Sequence, residues 1–172
     1  MNSLPIPLLL SAEFMYPSIP LLNHTDSNNF FLIAGPCVIE NHDLVMETAS
    51  VIKAVCNKFS IPFIFKSSYR KANRSRGDSY TGMGDEQALK ILAEVRKKLN
   101  VPVLTDIHES DEAALAAEYA DVLQIPAFLC RQTDLLLAAA HTGKCINVKK
   151  GQFLSPEADR FIVDKIKRGG ND

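Results

Sequence analysis

Residues 102–125, PVLTDIHESDEAALAAEYADVLQI, hold a short apolar run, an Ala-rich run and a second short apolar run. The outer runs, 102–105 and 121–125, have the length of strands, and the middle run, 110–119, is typical of a helix. Each outer run is continuously apolar rather than alternating, as in strands that are buried on both faces of a parallel sheet. The stretch therefore predicts a strand–helix–strand unit with parallel strands.

The same alternation extends in both directions and predicts about five strand–helix units. The further strands are predicted at residues 30–34, 62–66 and 145–148, and the further helices at 42–59, around 88–99, at 132–141 and from 155 onward. Spacing predicts which side chains two of the helices bury. They are Leu44, Thr48, Val51, Ile52, Val55 and Phe59 in the first helix and Ala88, Ile91, Leu92, Val95 and Leu99 in the second.

Two parallel architectures fit this alternation. One is the start of a (β/α)₈ TIM barrel, of which five units would be present, and the other is an open, flavodoxin-like five-strand sheet. No Gly-rich G-x-G-x-x-G turn follows the first strand, which weakens a dinucleotide-binding fold. We predict the barrel for residues 28–172, preceded by residues 1–27 as a leader or a cap on the barrel.

Composition excludes several classes of protein. The formal net charge of −1 argues against a nucleic-acid binder that works by bulk electrostatics. No apolar run approaches the roughly 20 residues of a membrane-spanning helix, and Leu8-Leu9-Leu10 is too short and too broken by proline to favour a signal peptide. The four scattered cysteines fit a reducing compartment, so we expect a cytoplasmic protein.

Cations cluster where the predicted strands end. They are Lys66, Lys71, Arg74, Arg131 and Lys149. Loops that follow the strands build the active site in barrels and the ligand crevice in open sheets, so both architectures bring these residues together. Arg and Lys at such a site favour ligands with phosphate and carboxylate groups.

Four other side chains at these ends allow more than one role. Asp106 is either a counter-ion for the lysines or a partner for a substrate hydroxyl, and His108 either supports the site or contacts substrate. Glu109 is as well suited to capping a helix as to catalysis. Cys37 after Gly35-Pro36 is a nucleophile, a metal ligand or an inert thiol, and spacing alone does not favour a metal.

Long ordered motifs from about residue 28 onward closely resemble the 3-deoxy-8-phosphooctulonate synthases. They are AGPCVIE at 34–40, FKSS at 65–68, KANRS at 71–75, TDIHE at 105–109, QIPAFLCRQTD at 124–134 and NVKKGQF at 147–153. The resemblance implies a TIM barrel, usually a homotetramer. It also implies condensation of phosphoenolpyruvate with arabinose 5-phosphate, with release of phosphate, in lipopolysaccharide biosynthesis.

The resemblance also implies roles for single residues. Catalytic roles fall on Lys66, Lys71, Asn73, Asp106 and Lys149, and substrate-binding roles on Ser68, Arg74, Ser75, Gln124, Ala127 and Arg131. Arg74 is expected on the sugar phosphate, which a neighbouring subunit partly holds. Cys37 becomes the expected ligand of a divalent metal, namely Zn²⁺, Mn²⁺ or Fe²⁺, because metal-dependent members have Cys at this position.

The nearest alternative is a 3-deoxy-7-phosphoheptulonate synthase. Those enzymes typically read Lys-Pro-Arg-Thr where this chain has Lys71-Ala72-Asn73-Arg74, which favours the five-carbon sugar phosphate. The resemblance also implies that family members continue past the equivalent of Gly169-Gly170-Asn171 with further strands that carry a phosphoenolpyruvate-binding Arg and the His, Glu and Asp metal ligands. This sequence holds none of these, so a further hypothesis is that the 172-residue chain alone is an inactive, poorly folded fragment.

Overall fold

The computed structural model describes residues 18–171, which form five parallel strands connected by helices. The strands are β1 (Leu32–Ala34), β2 (Phe63–Lys66), β3 (Val103–Asp106), β4 (Val122–Ile125) and β5 (Cys145–Val148). The helices are α1 (His42–Lys58), α2 (Asp85–Leu99), α3 (Glu112–Tyr119), α4 (Thr133–His141) and α5 (Asp159–Arg168), with short 3₁₀ turns at Ala127–Leu129 and Pro156–Ala158. The predicted strand–helix units are confirmed, with most ends within two residues. Helix α2 begins three residues earlier than residue 88, and α5 begins at Asp159, after a 3₁₀ turn, rather than at 155.

The strand order distinguishes between the two predicted architectures. The sheet runs β1-β2-β3-β4-β5, and each strand pairs in parallel with the next one along the chain. A flavodoxin-like sheet would place its second strand outside its first, in the order 2-1-3-4-5. The consecutive order is that of a barrel wall, so the described residues form part of a (β/α)₈ barrel.

Burial differs between the middle and the edges of the sheet. All residues of β3 and β4 are buried, and so are three of the four residues of β2. Every residue of β1 and β5 is only half-buried. The main apolar core lies between the sheet and its helices.

Helix α1 begins where the sequence predicts, but it buries a different face. The Asn41 side chain caps it by accepting a hydrogen bond from the Leu44 N–H at 2.8 Å. The buried residues are Val45, Ala49 and Cys56, whereas the predicted face is largely exposed, with Val51 59% accessible. The predicted buried face of α1 was therefore wrong, because the buried stripe begins at Val45 rather than at Leu44. In α2, four of the five predicted residues are buried.

Part of the segment of residues 1–27 lies within the described structure. Ile19 and Leu22 pack against a small cluster formed by Ile64, Leu104 and Val122. Residues 1–17, which carry the rest of the predicted leader or cap, lie outside the described residues, so that prediction stays untested. Across residues 18–171, every helix is too short or too polar to cross a membrane.

Candidate functional site

A cavity of about 400 Å³ lies beyond the carboxyl ends of the strands. The loops after β2, β3, β4 and β5 contribute its walls. Its lining residues are Lys66, Lys71, Ala72, Asn73, Asp106, His108, Glu109, Gln124, Pro126, Ala127, Phe128, Leu129, Lys149 and Gln152. Seven of the predicted site residues are among them, so the structure brings together side chains that are up to 83 positions apart in the sequence, from Lys66 to Lys149.

Two lysines meet at one hydroxyl in the floor of this site. The ammonium groups of Lys66 and Lys71 donate to Ser68 Oγ at 3.1 and 2.7 Å, and Ser68 is fully buried. Gly35 makes room beside them, since a Cβ at that position would overlap the Lys66 carbonyl oxygen. The close approach of β1 and β2 therefore depends on glycine, and it fixes the backbone from which Lys66 projects.

Asp106 is the negative charge among these lysines. Burial on its own would raise the pKa of the Asp106 carboxyl. His108, Lys66, Ser68 and Lys71 favour the charged form more strongly, so the pKa is lowered. Asp106 Oδ2 lies 3.3 Å from His108 Nε2, while Oδ1 is buried and accepts no hydrogen bond from the described residues. A hydroxyl group of a ligand would satisfy this second oxygen.

Burial also acts on Lys66. It lowers the pKa of the Lys66 ammonium, with further lowering by the charges of Lys71 and Lys149 and opposition from Asp106 and Cys37. Lys66 and Lys71 are both half-buried, and their ammonium groups lie close together. Two neighbouring positive charges with reduced access to water repel each other and attract an anion. The floor of the cavity is thus prepared for a phosphate or a carboxylate.

The far wall of the site comes from β4 and β5. Gln124 is buried at the end of β4, and its Oε1 accepts a hydrogen bond from Asn147 Nδ2 at 3.0 Å. The Lys149 N–H donates to the Ile125 carbonyl at 3.0 Å, which continues the β4–β5 pairing by one residue. The Lys149 side chain is exposed and lines the cavity. Its ammonium is therefore free to move onto a ligand.

Five predicted site residues lie outside the cavity lining, and Cys37 is one of them. Arg131 and Ser75 are exposed, and so is Arg74, whose Nε donates to the Tyr80 carbonyl at 3.2 Å. Ser68 lies beneath the cavity floor rather than in its wall. The two arginines therefore do not join the three lysines within this chain, and their predicted roles stay predictions.

Cys37 is exposed and lies close enough to Lys66 to influence the pKa of that lysine. Within residues 18–171 no cluster of three or more His, Cys, Asp and Glu side chains is arranged to hold a metal ion. A divalent metal at Cys37 would need ligands from elsewhere. On the described residues alone, the donor set does not fit a metal centre.

Three residues that sequence reasoning missed stand behind the site. Glu112 on α3 accepts a hydrogen bond from the Tyr69 hydroxyl at 2.6 Å and another from the backbone N–H of His108 at 2.7 Å. It also forms an ion pair with Arg70. Burial raises the pKa of the Tyr69 phenol, so Tyr69 is a hydrogen-bond donor at neutral pH. These residues come from separate segments, and no spacing in the sequence links them.

A larger cavity, of about 550 Å³, lies at the opposite ends of the strands. Its buried carboxylate, Asp121, is already paired with Arg96 Nε at 2.9 Å and accepts from the Val103 N–H at 3.1 Å. Because this charge is satisfied within the fold, we read the pair as structural. The smaller cavity, with its convergent lysines and unsatisfied Asp106 oxygen, is the better candidate site.

The consecutive parallel sheet and the lysine-lined cavity at its carboxyl end define an α/β-barrel chain whose candidate site carries charges complementary to small anions. The chain belongs to a family described as the DAHP synthetase I family, whose model matches residues 21–172. Curated relatives named 2-dehydro-3-deoxyphosphooctonate aldolase are similar to it. The protein of Aromatoleum aromaticum is 58% identical over 145 residues, which is 83% of this chain and 52% of that protein.

Two further relatives carry the same name. The protein of Burkholderia mallei is 54% identical over 143 residues, covering 83% of this chain and 50% of its own length. The protein of a Cyanothece species is 56% identical over 151 residues, covering 88% of this chain and 55% of its own length. The chain thus spans about half the length of the curated relatives that it matches.

Proposed function

We propose that the chain supplies the substrate cavity of an enzyme that condenses phosphoenolpyruvate with D-arabinose 5-phosphate. The products would be 3-deoxy-D-manno-octulosonate 8-phosphate and inorganic phosphate. The observation that carries the proposal is the set of Lys66, Lys71 and Lys149 around one cavity with Asp106 at its floor. Relatives with the same motifs, named 2-dehydro-3-deoxyphosphooctonate aldolase, support the choice of reaction.

Phosphoenolpyruvate matches the charges of this cavity. Its phosphate and carboxylate would bind Lys66, Lys71 and Lys149, with Gln124 and the backbone around Ala127 beside them. A phosphate on the two floor lysines would replace Ser68 as the acceptor of their hydrogen bonds. Compact ammonium groups that are partly shielded from water attract such anions strongly.

Arabinose 5-phosphate would occupy the side of the cavity that is formed by the loop after β2. The free Oδ1 of Asp106 would accept a hydrogen bond from a sugar hydroxyl, and Asn73 lies in the same wall. Arg74 and Ser75 are exposed nearby and would meet the sugar phosphate. In a homotetramer, which is part of this proposal, a neighbouring subunit would complete that phosphate site.

The reaction needs positioning and charge stabilisation more than covalent help from the protein. The terminal enol carbon of phosphoenolpyruvate attacks the sugar aldehyde, water adds to the adjacent enol carbon, and the C–O bond to phosphate then breaks. The lysines would stabilise the negative charge that grows on the aldehyde oxygen and on the leaving phosphate. The soluble, charged substrates make the cytoplasm the expected compartment.

A divalent metal ion stays a separate part of the proposal. Cys37 would be one ligand, and the others would come from outside residues 18–171. A thiolate ligand suits Zn²⁺ or Fe²⁺ better than Mn²⁺. Because the described donor set is incomplete, no step of the reaction above is assigned to the metal.

Calorimetry on the full 172-residue chain tests the binding half of this proposal. Replacing Lys66 by Met removes one floor ammonium, and we expect phosphoenolpyruvate affinity to fall roughly tenfold or more, about 1.4 kcal/mol. Lys90→Met is the matched control, because Lys90 is exposed on α2 and pairs only with Glu86 among the contacts the structure gives it. Equal affinity in Lys66→Met and the control would contradict the proposed site.

Phosphate release with two sugar phosphates, assayed in parallel, tests the reaction. Arabinose 5-phosphate should be preferred over erythrose 4-phosphate, and a preference for the latter would overturn the substrate assignment. Binding of phosphoenolpyruvate without any phosphate release would restrict this chain to substrate binding. Robust turnover with cooperative thermal unfolding would reject the hypothesis of an inactive fragment.

A further inference from the structure

Behind the candidate site, one carboxylate holds two loops together. Glu112 lies in the first turn of α3, and its side chain is 13% exposed. Its Oε2 accepts a hydrogen bond from the hydroxyl of Tyr69, a residue of the loop after β2, and another from the backbone N–H of His108, a residue of the loop after β3. Its Oε1 pairs with Arg70. The carboxylate therefore links the loops after β2 and β3, and these loops carry Lys71 and His108.

The link continues through His108 to the cavity floor. His108 Nδ1 lies 3.4 Å from Glu112 Oε2, and its Nε2 lies 3.3 Å from Asp106 Oδ2. The imidazole is 8% exposed, and its ring packs edge-on against Tyr69 with centroids 6.1 Å apart. His108 Nδ1 makes no hydrogen bond to a described residue, so the ring is held by the hydrogen bond of its own backbone N–H to Glu112, by the Tyr69 ring and by Asp106 on the Nε2 side.

We infer that Glu112 is a positioning residue: it orients His108, and through His108 it fixes Asp106 with one oxygen free toward the cavity. Glu112 is absent from the cavity lining, so it acts through these neighbours rather than on a ligand. Removing its charge would leave Arg70 without a counter-charge and would replace one of the two carboxylate oxygens by an NH₂ donor, so the Tyr69 hydroxyl, the His108 backbone N–H and Arg70 could no longer all be satisfied. The ring would then be free to turn, and Asp106 would lose its fixed direction.

The ligand-free 172-residue chain tests this inference without reference to any substrate. Nuclear magnetic resonance of the histidine rings reports the tautomer and the surroundings of His108. In Glu112→Gln, we expect the His108 ring resonances to shift, and those of His24, His42 and His141 to stay in place. Glu118→Gln is the matched control, because Glu118 is an exposed carboxylate at the other end of the same helix.

A ligand measurement extends the test and rests on the proposed function. Phosphoenolpyruvate and arabinose 5-phosphate are the probes, and Glu112→Gln should weaken the sugar phosphate roughly tenfold while changing phosphoenolpyruvate less. The reason is that Asp106 is assigned to the sugar and the lysines to phosphoenolpyruvate. If wild type binds neither compound, the proposed function fails, while the histidine spectra still decide the positioning role.

Tyr69→Phe guards against loss of folding in Glu112→Gln. It removes one donor to Glu112, keeps the ring against His108 and leaves no charge unpaired. We expect a smaller shift of the same His108 resonances. Folded Glu112→Gln with unchanged His108 signals, or a Glu118→Gln variant with equal shifts, would overturn the inference. So would an unfolded Glu112→Gln together with Tyr69→Phe spectra that match wild type.

Discussion

Similar apolar residues are buried to different extents in the middle and at the edge of the sheet. Leu123 on β4 and Ile146 on β5 are register partners in adjacent strands, but Leu123 is fully buried and Ile146 is only partly so. The polar side chains follow the same division. Asp106, the last residue of the central strand β3, is buried beside His108, whereas Lys149, just after the edge strand β5, is exposed. A site residue on a strand with neighbours on both sides is therefore held more tightly than one beside an edge strand.

The largest difference should come from truncating the two register partners. Leu123→Ala should lower the free energy of unfolding by about 3 kcal/mol, and Ile146→Ala by about 1 kcal/mol, because only the first leaves a fully enclosed cavity. Urea unfolding followed by far-ultraviolet circular dichroism measures both, since the chain has no tryptophan. Equal losses would show that β5 is as well covered as β4 in solution.

A smaller effect is expected at the floor of the site. Asp106→Asn should lower the free energy of unfolding by about 2 kcal/mol, because it leaves Lys66 and Lys71 without their counter-charge. The folded-state pKa of Asp106 is lowered, so the stabilisation is fully present above the unfolded pKa of about 4 and declines below it.

Urea titrations between about pH 3 and about pH 8 measure the free energy of unfolding of wild type and of Asp106→Asn on both sides of that pKa. The gap between the two proteins should be constant above about pH 5 and narrow toward pH 3. A gap that widens on acidification would contradict the assigned charge state. Lys149→Met, beyond the edge strand, is the comparison and should change stability by less than about 0.5 kcal/mol.

The smallest effect is expected on the outer face of α1. Val51→Ala should change the free energy of unfolding by less than about 0.5 kcal/mol, whereas Val45→Ala on the same helix should cost about 1.5 kcal/mol. Val45 is fully buried and Val51 is 59% exposed. A cost at Val51 that matches Val45 would mean that this face is covered in solution, and concentration-dependent unfolding would then identify self-association as the cause.

Most of the fold follows from the sequence, because the apolar runs are short and separated by helices with clear ends. The side of α1 that faces the sheet could not be predicted in the same way. Residues 44, 48, 51 and 55 and residues 45, 49, 52 and 56 both form apolar stripes, about 100° apart around the helix. Which stripe is buried depends on packing against α2 and β2, which the periodicity does not contain.

The site could be predicted only in part, for a related reason. Lys66, Asp106 and Gln124 lie at the carboxyl ends of β2, β3 and β4, and Lys149 follows β5. The parallel sheet brings these strand ends to one edge, so their meeting was predictable. Arg131 lies on the loop between β4 and α4, is exposed and is absent from the cavity lining. Glu112 was missed because a carboxylate in the first turn of a helix is ordinary, and its partners belong to distant segments.

The Ser68 hydroxyl connects the lysines of the cavity floor to Asp106. A hydroxyl has two lone pairs and one proton, and here both ammonium groups occupy the acceptor side. The proton is left to Asp106, where it helps to lower the pKa of the carboxyl. The Ser68 hydroxyl thus interacts with three charged groups, namely the two ammonium groups and the Asp106 carboxylate. A phosphate that draws either lysine away from Ser68 would allow the Ser68 hydroxyl to rotate and its proton to point elsewhere. Binding of a ligand at the lysines would therefore change the hydrogen bonding of Asp106.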